Sequence, residues 1–239
     1  SDAMLRRAPV RLFSRDALHG HTKQWLQRQS KDRWVARAHE QEYRSRSAYK
    51  LKQLDTKFSF LKKNGVIVDL GCFAGGWSQV ALQRTGVGQG RGTGAVIGVD
   101  KVRMEPLGQH QFVLGDVAEP ATLKQVEELL EGKRADVVLS DMAPKMSGRK
   151  TDDHMASVEL CRWALRFAEA VLKEGGCFVT KIFEGSGTAQ YRGELEQRFG
   201  RVRTAKPLAS REESREVYLV CCRYMAREAY LAQGGASAA

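Results

Sequence analysis

Four aspartates follow apolar, strand-like runs of the sequence, each at the position where its run ends. They are Asp69, Asp100, Asp116 and Asp141. The carboxyl ends of parallel strands share one edge of a sheet, where ligands bind, so we expect these carboxylates to converge. One such aspartate would be an ordinary helix cap or turn former, but four favour a binding edge. A rim this acidic would repel a pyrophosphate and would accept ribose hydroxyls, an adenine amino group or a cation.

The loop after the first of these runs carries glycines whose spacing narrows the choice of ligand. It reads D-L-G-C-F-A-G-G-W. A dinucleotide fingerprint needs G-x-G-x-x-G to bring backbone amides onto phosphates, whereas Gly71, Gly75 and Gly76 are spaced G-x-x-x-G-G. A nucleotide that lacks phosphates and carries a positive charge is S-adenosylmethionine, and this pattern is the usual opening of a class I methyltransferase. We expect Asp100 to bind the ribose hydroxyls and Asp116 to face the adenine.

Strand-like and amphipathic segments alternate along the chain and predict the elements that position this rim. The strand candidates are 66–70, 95–100, 112–116, 136–141, 177–183 and 216–222. Helix candidates lie near 77–84, 121–131, 155–173 and 188–198, and two more precede the first strand, at 22–39 and about 45–61. This alternation predicts an α/β fold with a mostly parallel sheet and helices on both faces. The length of 239 residues suits one such domain.

Composition argues against several classes of protein. No apolar run approaches the roughly 20 residues that a membrane helix needs, so we expect no membrane association. The five cysteines include no C-x-x-C pair and no histidine at ligand spacing. A structural zinc site and a disulfide framework are therefore not expected, and a reducing compartment fits better.

Positive charge is concentrated near the start of the chain. The net charge is +11, and residues 1–63 hold 16 of the 39 Lys and Arg but only 6 of the 28 Asp and Glu. Trp25, Trp34, Tyr43 and Tyr49 lie among these cations. Such a segment suits a polyanion with bases to stack on, RNA or DNA. A solvated helix face is the alternative.

The first residues have a composition of their own. S-D-A resembles a cloning remnant, and from Met4 the chain is Arg-rich, with no acidic residue before Asp16. This composition resembles a mitochondrial presequence, and a disordered basic arm that grips nucleic acid is the alternative. We therefore divide the chain into residues 1–21 and a single methyltransferase domain at 22–239, whose basic helical segment covers 22–63. The expected location is the mitochondrion, with the cytoplasm as the alternative.

Two lysines lie in apolar or aromatic surroundings. Lys50 follows Ala48-Tyr49, and Lys181 lies within a predicted buried strand. A buried ammonium group is costly unless it is paired. Asp141 and Glu216 are the natural partners.

Five stretches together resemble the FtsJ/RrmJ (RlmE) family of ribosomal RNA 2′-O-methyltransferases. They are W-L-Q…R-S-R-S-A-Y-K-L, G-G-W-S-Q, S-D-M-A-P, K-I-F-E-G and S-R-E-V-Y, in that order between about Thr22 and Tyr224. Any one could arise by chance, but five in the right order could hardly do so. The resemblance implies a class I S-adenosylmethionine-dependent methyltransferase with a Rossmann-like, seven-stranded, mostly parallel sheet.

The resemblance also implies a catalytic tetrad. The family's Lys-Asp-Lys-Glu set matches Lys50, Asp141, Lys181 and Glu216, with none missing. A ribose 2′-hydroxyl is a poor nucleophile at neutral pH, so the enzyme must align it with the methyl group and manage one proton. We expect Lys181 to act as the base or to orient the hydroxyl, held by Asp141 and Glu216. Lys50 is expected to position the acceptor ribose.

The implied binding residues extend around the tetrad. The cofactor-binding residues are Asp69, Gly71, Phe73, Gly75, Gly76, Trp77, Asp100, Asp116 and Asp141. RNA is selected over DNA because DNA lacks the 2′-hydroxyl. The predicted RNA-binding residues are Lys23, Arg28, Lys31, Arg33, Arg37, Arg44 and Arg46. This scheme requires no metal.

Two stretches depart from the family's pattern. The family loop usually reads G-A-A-P-G-G-W, and Cys72, Phe73 and Ala74 replace A-A-P, which predicts a bulkier and less rigid lip. The usual A-P-N appears as Ala143-Pro144-Lys145, which questions any contact made through the Asn side chain.

Three other functions compete with this interpretation. The same chemistry could act on tRNA or an mRNA cap, although the chain has no extra domain for a cap base. A ribosome assembly factor that lost activity is a second alternative, and the intact tetrad weighs against it. A nicotinamide oxidoreductase is inconsistent with the glycine spacing. We therefore expect methylation of large-subunit ribosomal RNA by a monomer, with the large subunit or its assembly intermediate as partner and a uridine of the peptidyl-transferase region as the target that the family implies.

Overall fold

The computed structural model describes residues 32–89 and 93–226. The predicted arm at 1–21 lies outside the described residues, as does most of the helix predicted at 22–39. Three predicted RNA-binding residues, Lys23, Arg28 and Lys31, also lie outside them. Among the described residues, no helix is both long and apolar enough to cross a membrane.

A seven-stranded sheet forms the centre of the fold. Its strands are β1 (Val66–Leu70), β2 (Ala95–Asp100), β3 (Gln111–Leu114), β4 (Ala135–Ser140), β5 (Leu172–Phe183), β6 (Phe199–Ala205) and β7 (Glu216–Tyr224). The spatial order is β3-β2-β1-β4-β5-β7-β6. All neighbours from β3 to β5 pair in parallel, and β7 runs antiparallel to both β5 and β6. The strand order reverses between β1 and β4, so a ligand site is expected beyond the carboxyl ends of these two strands.

Helices cover both faces of the sheet. They are α1 (Arg33–Glu40), α2 (Ala48–Phe58), α3 (Gly76–Thr85), α4 (Pro120–Leu130), α5 (Lys150–Val171) and α6 (Thr188–Glu196), with a 3-10 turn at Val87–Gln89. Buried side chains of α4, α5 and α6 pack on one face, and those of α1, α2 and α3 pack on the other. Along β1, Val66, Val68 and Leu70 join the first core while Ile67 joins the second. Burial on both faces explains why this strand begins with the continuous apolar run Val66-Ile67-Val68.

The predicted fold class is confirmed, with one strand that the sequence pattern did not indicate. Each of the six strand candidates corresponds to an observed strand, and their ends agree within two residues except that β5 begins five residues before its predicted start. β6 escaped prediction because its sequence F-G-R-V-R-T-A buries only three of its seven residues and exposes arginines between them. This pattern is typical of an edge strand, which shows a weaker apolar signal than a central one.

The cysteines correct one expectation. No disulfide was expected, yet Cys177 and Cys222 are joined by one. These residues face each other across the antiparallel pair β5–β7, and their Cα atoms are 4.1 Å apart. Their separation of 45 residues matches no short motif, so only the strand register brings them together. Cys72, Cys161 and Cys221 are free and buried.

The basic segment before β1 is part of the packed domain. Leu51 and Leu54 of α2 are buried together with Trp77 and Val80 of α3. The aromatic rings of Tyr43 and Tyr49 are also buried in this layer. The segment therefore contributes one of the two helical layers.

Candidate active site

The four strand-terminal aspartates lie along the carboxyl edge of the sheet. Asp69 is the fourth residue of β1, and Asp100 is the last residue of β2. Asp116 follows β3 by two residues, and Asp141 comes directly after β4. The parallel register of these strands sets the carboxylates in one row, as the sequence pattern predicted.

Lys181 is bound to Asp141 at the end of this row. Its Nζ donates to the Asp141 main-chain carbonyl at 2.6 Å and lies 2.9 Å from the carboxylate Oδ1. The Lys181 side chain is only 9% exposed, so the carboxylate is needed to offset the loss of water around the ammonium group. These contacts fix the position of the Nζ atom beside Asp141, at the carboxyl end of β4.

Glu216 binds the other lysine of the tetrad, which corrects the predicted pairing. We expected Glu216 to hold Lys181, but its Oε1 lies 2.5 Å from Lys50 Nζ. Lys181 faces Tyr218 across the β5–β7 pair, whereas Glu216 lies two residues further along and reaches α2. The tetrad is therefore two ion pairs, Lys181–Asp141 and Lys50–Glu216.

Tyr218 connects these two pairs, and the sequence reasoning did not assign it a role. Its hydroxyl donates to Asp141 Oδ1 at 2.7 Å, and Lys50 Nζ lies 5.8 Å from the centre of its ring. Side chains two residues apart on a strand share a face, so the spacing from Glu216 in E-V-Y could have indicated it. Tyr218 is fully buried, with Trp77 packed against its ring at 5.7 Å.

Electrostatics keep Asp141 ionised and Tyr218 protonated. Burial acts to raise the pKa of Asp141, but the charges of Lys181 and Lys50 and the hydrogen bonds from Lys181 and Tyr218 outweigh burial, and the pKa falls below its ordinary value. Burial, reinforced by the charges of Asp141 and Glu216, raises the pKa of Tyr218 well above its ordinary range. At neutral pH the carboxylate is therefore an acceptor and the phenol a donor.

Asp69 is the most deeply buried acid of the row. Its Oδ2 accepts a hydrogen bond from the Ser78 hydroxyl at 2.7 Å, and its Oδ1 has no partner among the described residues. Burial raises the pKa of Asp69 to about 7, helped by the charges of Asp141 and Asp100 and opposed by the bond from Ser78. Ser78 is a residue that the sequence pattern did not single out.

The glycines of the cofactor loop make room for the protein's own chain. Gly71 has a φ of +72°, and a Cβ there would collide with the side chain of Met142. A Cβ on Gly76 would collide with the hydroxyl of Ser45. Trp77 is buried beneath this loop and donates its indole N–H to the Ser47 carbonyl at 2.9 Å. The loop therefore packs closely between Ser45, in the segment before α2, and Met142, the residue after Asp141.

The outer rim carries apolar surface beside its carboxylates. Asp100 accepts backbone N–H bonds from Phe73 at 2.9 Å and Val102 at 2.8 Å. Both of these side chains are about half exposed, as is Leu114, which pairs with Asp100 in the sheet. Exposed apolar side chains around a carboxylate suit an aromatic base joined to a hydroxylated sugar. These residues therefore fit the adenosine part of S-adenosylmethionine.

Asp116 lies further out on the same rim. Its Oδ1 accepts from the Ala118 N–H at 3.0 Å, and its Oδ2 pairs with Lys101 at 2.6 Å. The bond from Ala118, followed by the contact with Lys101, lowers the pKa of Asp116. The side chain remains 29% exposed and able to accept a further hydrogen bond. Within the described part of the chain, no cluster of three metal-ligating side chains is present.

Three cations line an aromatic surface on the basic segment. The Arg33 guanidinium lies 5.2 Å from the Trp34 ring, Arg37 lies 5.5 Å from Tyr49, and Lys52 lies 5.1 Å from Tyr43. None of these cations forms an ion pair with an acid of residues 32–89 or 93–226. We call Arg33, Arg37 and Lys52 the cation ladder. The sequence prediction included the two arginines and missed Lys52.

The other two arginines predicted to bind RNA are engaged within the protein. Arg44 donates to the carbonyls of Glu105 and Pro106, both at 2.6 Å. Arg46 donates to Asp32 and to the Ala209 carbonyl. These contacts occupy much of each guanidinium group. The contact of Arg44 and Arg46 with RNA therefore stays a prediction, and each residue also has a role inside the protein.

The chain is similar in sequence to known methyltransferases. The family model described as FtsJ-like methyltransferase matches residues 43–224. Ribosomal RNA large subunit methyltransferase E of Acidiphilium cryptum is 42% identical over 219 residues, which cover 92% of this chain and 94% of that protein. The protein of the same name from Roseobacter denitrificans is 44% identical over 207 residues, 85% of each chain.

The fold of this chain is also similar to those of solved structures. A Plasmodium falciparum protein described as a ribosomal RNA methyltransferase superposes with a TM-score of 0.71 at 38% identity, and the match covers 77% of this chain and all of that one. Human methyltransferase-like protein 13, solved with S-adenosylhomocysteine, has a TM-score of 0.51 at 12% identity, covering 77% of this chain and 88% of that chain. The second match shows the fold alone.

Proposed function

This chain belongs to the FtsJ-like methyltransferase family, and on that premise we propose that it methylates a ribose 2′-hydroxyl of large-subunit ribosomal RNA, with S-adenosylmethionine as donor. The observation that carries the proposal is the pair of buried ion pairs, Lys181–Asp141 and Lys50–Glu216, at the carboxyl edge of the sheet. The names of the relatives support the large-subunit target.

The cofactor would lie along the row of aspartates. When bound, S-adenosylmethionine supplies a methyl group that its sulfonium has already activated. Asp100 would accept the ribose hydroxyls, and Phe73 would cover one side of the base. Asp141, whose pKa is lowered, gives the inner part of the row a negative charge that suits a cation.

We assign Lys181 as the base that accepts the proton of the acceptor hydroxyl. Its Nζ directs two N–H groups to Asp141, so the neutral amine has its lone pair left for the hydroxyl of the acceptor. As a neutral amine it accepts the hydroxyl proton, and Asp141 then stabilises the ammonium that forms. Lys50, fixed by Glu216 and the Tyr218 ring, holds the ribose in line. Alignment of this kind can supply up to roughly 7–11 kcal/mol of barrier reduction.

The cation ladder gives the acceptor RNA a second point of contact. Its three cations lie on aromatic rings that fix their positions, and unpaired cations attract phosphates. Base stacking on Trp34, the partly exposed ring among these aromatics, would add affinity. RNA binding is therefore expected to depend steeply on salt concentration.

Methyl transfer from labelled S-adenosylmethionine to large-subunit ribosomal RNA tests the proposal. We expect Lys181→Ala to abolish transfer and to leave cofactor affinity unchanged. Lys173→Ala is the matched control, because Lys173 is the second residue of the same strand, is half exposed and pairs with Asp136. A 2′-deoxy nucleotide at the modified position must block transfer. Retained turnover by Lys181→Ala would refute the assignment.

The finer features of the function are also proposals. We propose a uridine of the peptidyl-transferase region as target, an assembling large subunit as partner, a monomeric enzyme and a mitochondrial location. Mapping 2′-O-methyl groups on ribosomal RNA with and without the protein tests the first two. Fusing residues 4–21 to a fluorescent reporter tests the location, and a reporter that stays in the cytoplasm would refute it.

A further inference from the structure

Arg46 joins two parts of the chain that are far apart in sequence. One arm of its guanidinium donates to Asp32, and another donates to the carbonyl of Ala209. Asp32 is also the N-cap of α1, where its Oδ1 accepts from the Trp34 N–H at 2.9 Å. Arg211 approaches the same carboxylate at 3.9 Å. The start of α1 and the segment before β7 are therefore fastened together through one guanidinium.

The segment that Arg46 holds leads directly into the tetrad. Residues 206–215 connect β6 to β7, whose first residue is Glu216. Ala209 is fully buried, and its N–H donates to the Gln53 side chain on α2 at 3.0 Å. Both polar groups of the Ala209 backbone are thus held by the basic segment. Lys50, on the same helix α2, binds Glu216 itself.

Burial makes this connection selective for arginine. The Arg46 and Asp32 side chains are only 14% and 11% exposed, so neither is placed as a freely solvated surface charge. Burial, followed by the charge of Arg211, lowers the pKa of Arg46, whereas Glu216 and Glu213 act in the opposite direction. A guanidinium presents several donors in a fixed plane, and an ammonium on a flexible stem does not.

We infer that Asp32 and Arg46 are positioning residues, which hold residues 206–215 so that Glu216 meets Lys50. The inference rests on the proposed function, because it assigns these residues a role in the same methyl transfer. It also adds, to the predicted contact of Arg46 with RNA phosphate, a bridge inside the protein. Neither residue touches the reacting atoms.

Replacing Arg46 by lysine separates the two roles. A lysine keeps the positive charge and would still serve a phosphate, but it cannot reach Asp32 and the Ala209 carbonyl in the same fork. We expect Arg46→Lys to lower kcat about 10- to 100-fold, the scale expected from a small misplacement of catalytic groups. RNA affinity is expected to stay within about twofold of that of the native protein, since one positive charge is retained. An unchanged kcat would overturn the inference.

Replacing Asp32 by asparagine tests the other end of the bridge. The change makes the protein more positive, so a purely electrostatic role predicts equal or tighter RNA binding and an unchanged kcat. The positioning role predicts the same RNA affinity or tighter binding together with a kcat reduced about 10-fold or more. Glu127→Gln is the matched control, because it removes one exposed negative charge on α4, on the opposite face of the sheet. Equal kcat values for the two variants would contradict the inference.

Hydrogen exchange distinguishes a failure of this inference from a failure of the proposed function. If the native protein transfers no methyl group to ribosomal RNA, the proposed function fails. The backbone amide of Ala209 still reports the bridge, and we expect its exchange to accelerate at least 10-fold in Arg46→Lys, while amides of β2 do not change. Unchanged exchange at Ala209 would show that Arg46 does not hold the segment.

Discussion

Replacing Tyr218 with phenylalanine removes one hydroxyl from the centre of the tetrad and leaves its ring in place. The hydroxyl donates to a buried, ionised carboxylate at 2.7 Å, and hydrogen bonds to charged groups contribute about 1.5–3 kcal/mol. We expect the free energy of unfolding to fall by about that amount at neutral pH, and the melting temperature to fall by about 3–12 °C. If the whole loss also reached the transition state, kcat would fall roughly 10- to 150-fold.

The pH dependence of this loss identifies its cause. The folded pKa of Asp141 lies below its ordinary value of 3.8, so the stability it contributes is present above that value and is lost as the pH falls through the folded pKa. The difference between the native protein and Tyr218→Phe is therefore constant above about pH 5 and shrinks below about pH 4.

Urea unfolding over a pH series measures this difference. Tyr224→Phe is the control, because its hydroxyl lies on the same strand and donates only to the Glu169 carbonyl, at 3.4 Å. We expect the control to lose less than about 1 kcal/mol. A loss in Tyr218→Phe below about 0.5 kcal/mol at neutral pH, or a loss that grows as the pH falls, would refute the assignment of the bond.

Three further predictions test other parts of the site. Lys52→Gln should weaken RNA binding and reduce the slope of log affinity against log salt by about 1. Its kcat at saturating RNA should be unchanged. The control Lys124→Gln, on α4, should change neither the RNA affinity nor the slope. Asp69 has a folded pKa raised to about 7, so its contribution to stability is greatest below its unfolded value and falls as the pH rises towards 7. Asp69→Asn should therefore flatten the pH dependence of unfolding in this window, and an unchanged profile would show that the carboxyl group is not perturbed. Gly71→Ala forces a Cβ into Met142 at a φ of +72° and should lower stability by about 1–3 kcal/mol, measured by thermal unfolding; native stability would mean that the loop can move aside.

The sequence predicted the tetrad residues but not how they pair. Two lysines and two carboxylates in apolar surroundings indicated mutual neutralisation, and that expectation holds. Which carboxylate meets which lysine depends on the register between β5 and β7, where Lys181 lies opposite Tyr218. A chain segment of more than 30 residues separates these strands, and no local pattern in it encodes the register. The same limit explains the unexpected disulfide between Cys177 and Cys222.

The basic segment shows a second limit of sequence reasoning. The charges of Arg37 and Arg46 look alike in the sequence, yet Arg37 is exposed and Arg46 is bonded to buried groups. Arginine suits both roles, because the same planar donors bind phosphate or carbonyl groups. Only the position of the segment 206–215, which lies far away in sequence, distinguishes them. Composition therefore predicted a basic binding surface but could not distinguish its exposed cations from those that bind groups inside the protein.

Helix α2 carries one lysine of the tetrad and one lysine of the cation ladder. Lys50 binds Glu216 of the tetrad, and Lys52, two residues further along the helix, belongs to the cation ladder. We therefore expect one helix to contribute both to catalysis and to RNA affinity. Successive residues of a helix are about 100° apart, which places these two side chains about 200° apart, on opposite sides of α2. A helix with its side chains is about 10–12 Å wide, which exceeds the rise per phosphate along the axis for one strand of a duplex, about 3.4 Å. RNA held by the ladder must therefore pass around α2 before a ribose reaches Lys181. We therefore expect contacts at the ladder to strengthen binding of any RNA long enough to span this distance, and we expect the tetrad with its rim to select the nucleotide that is methylated.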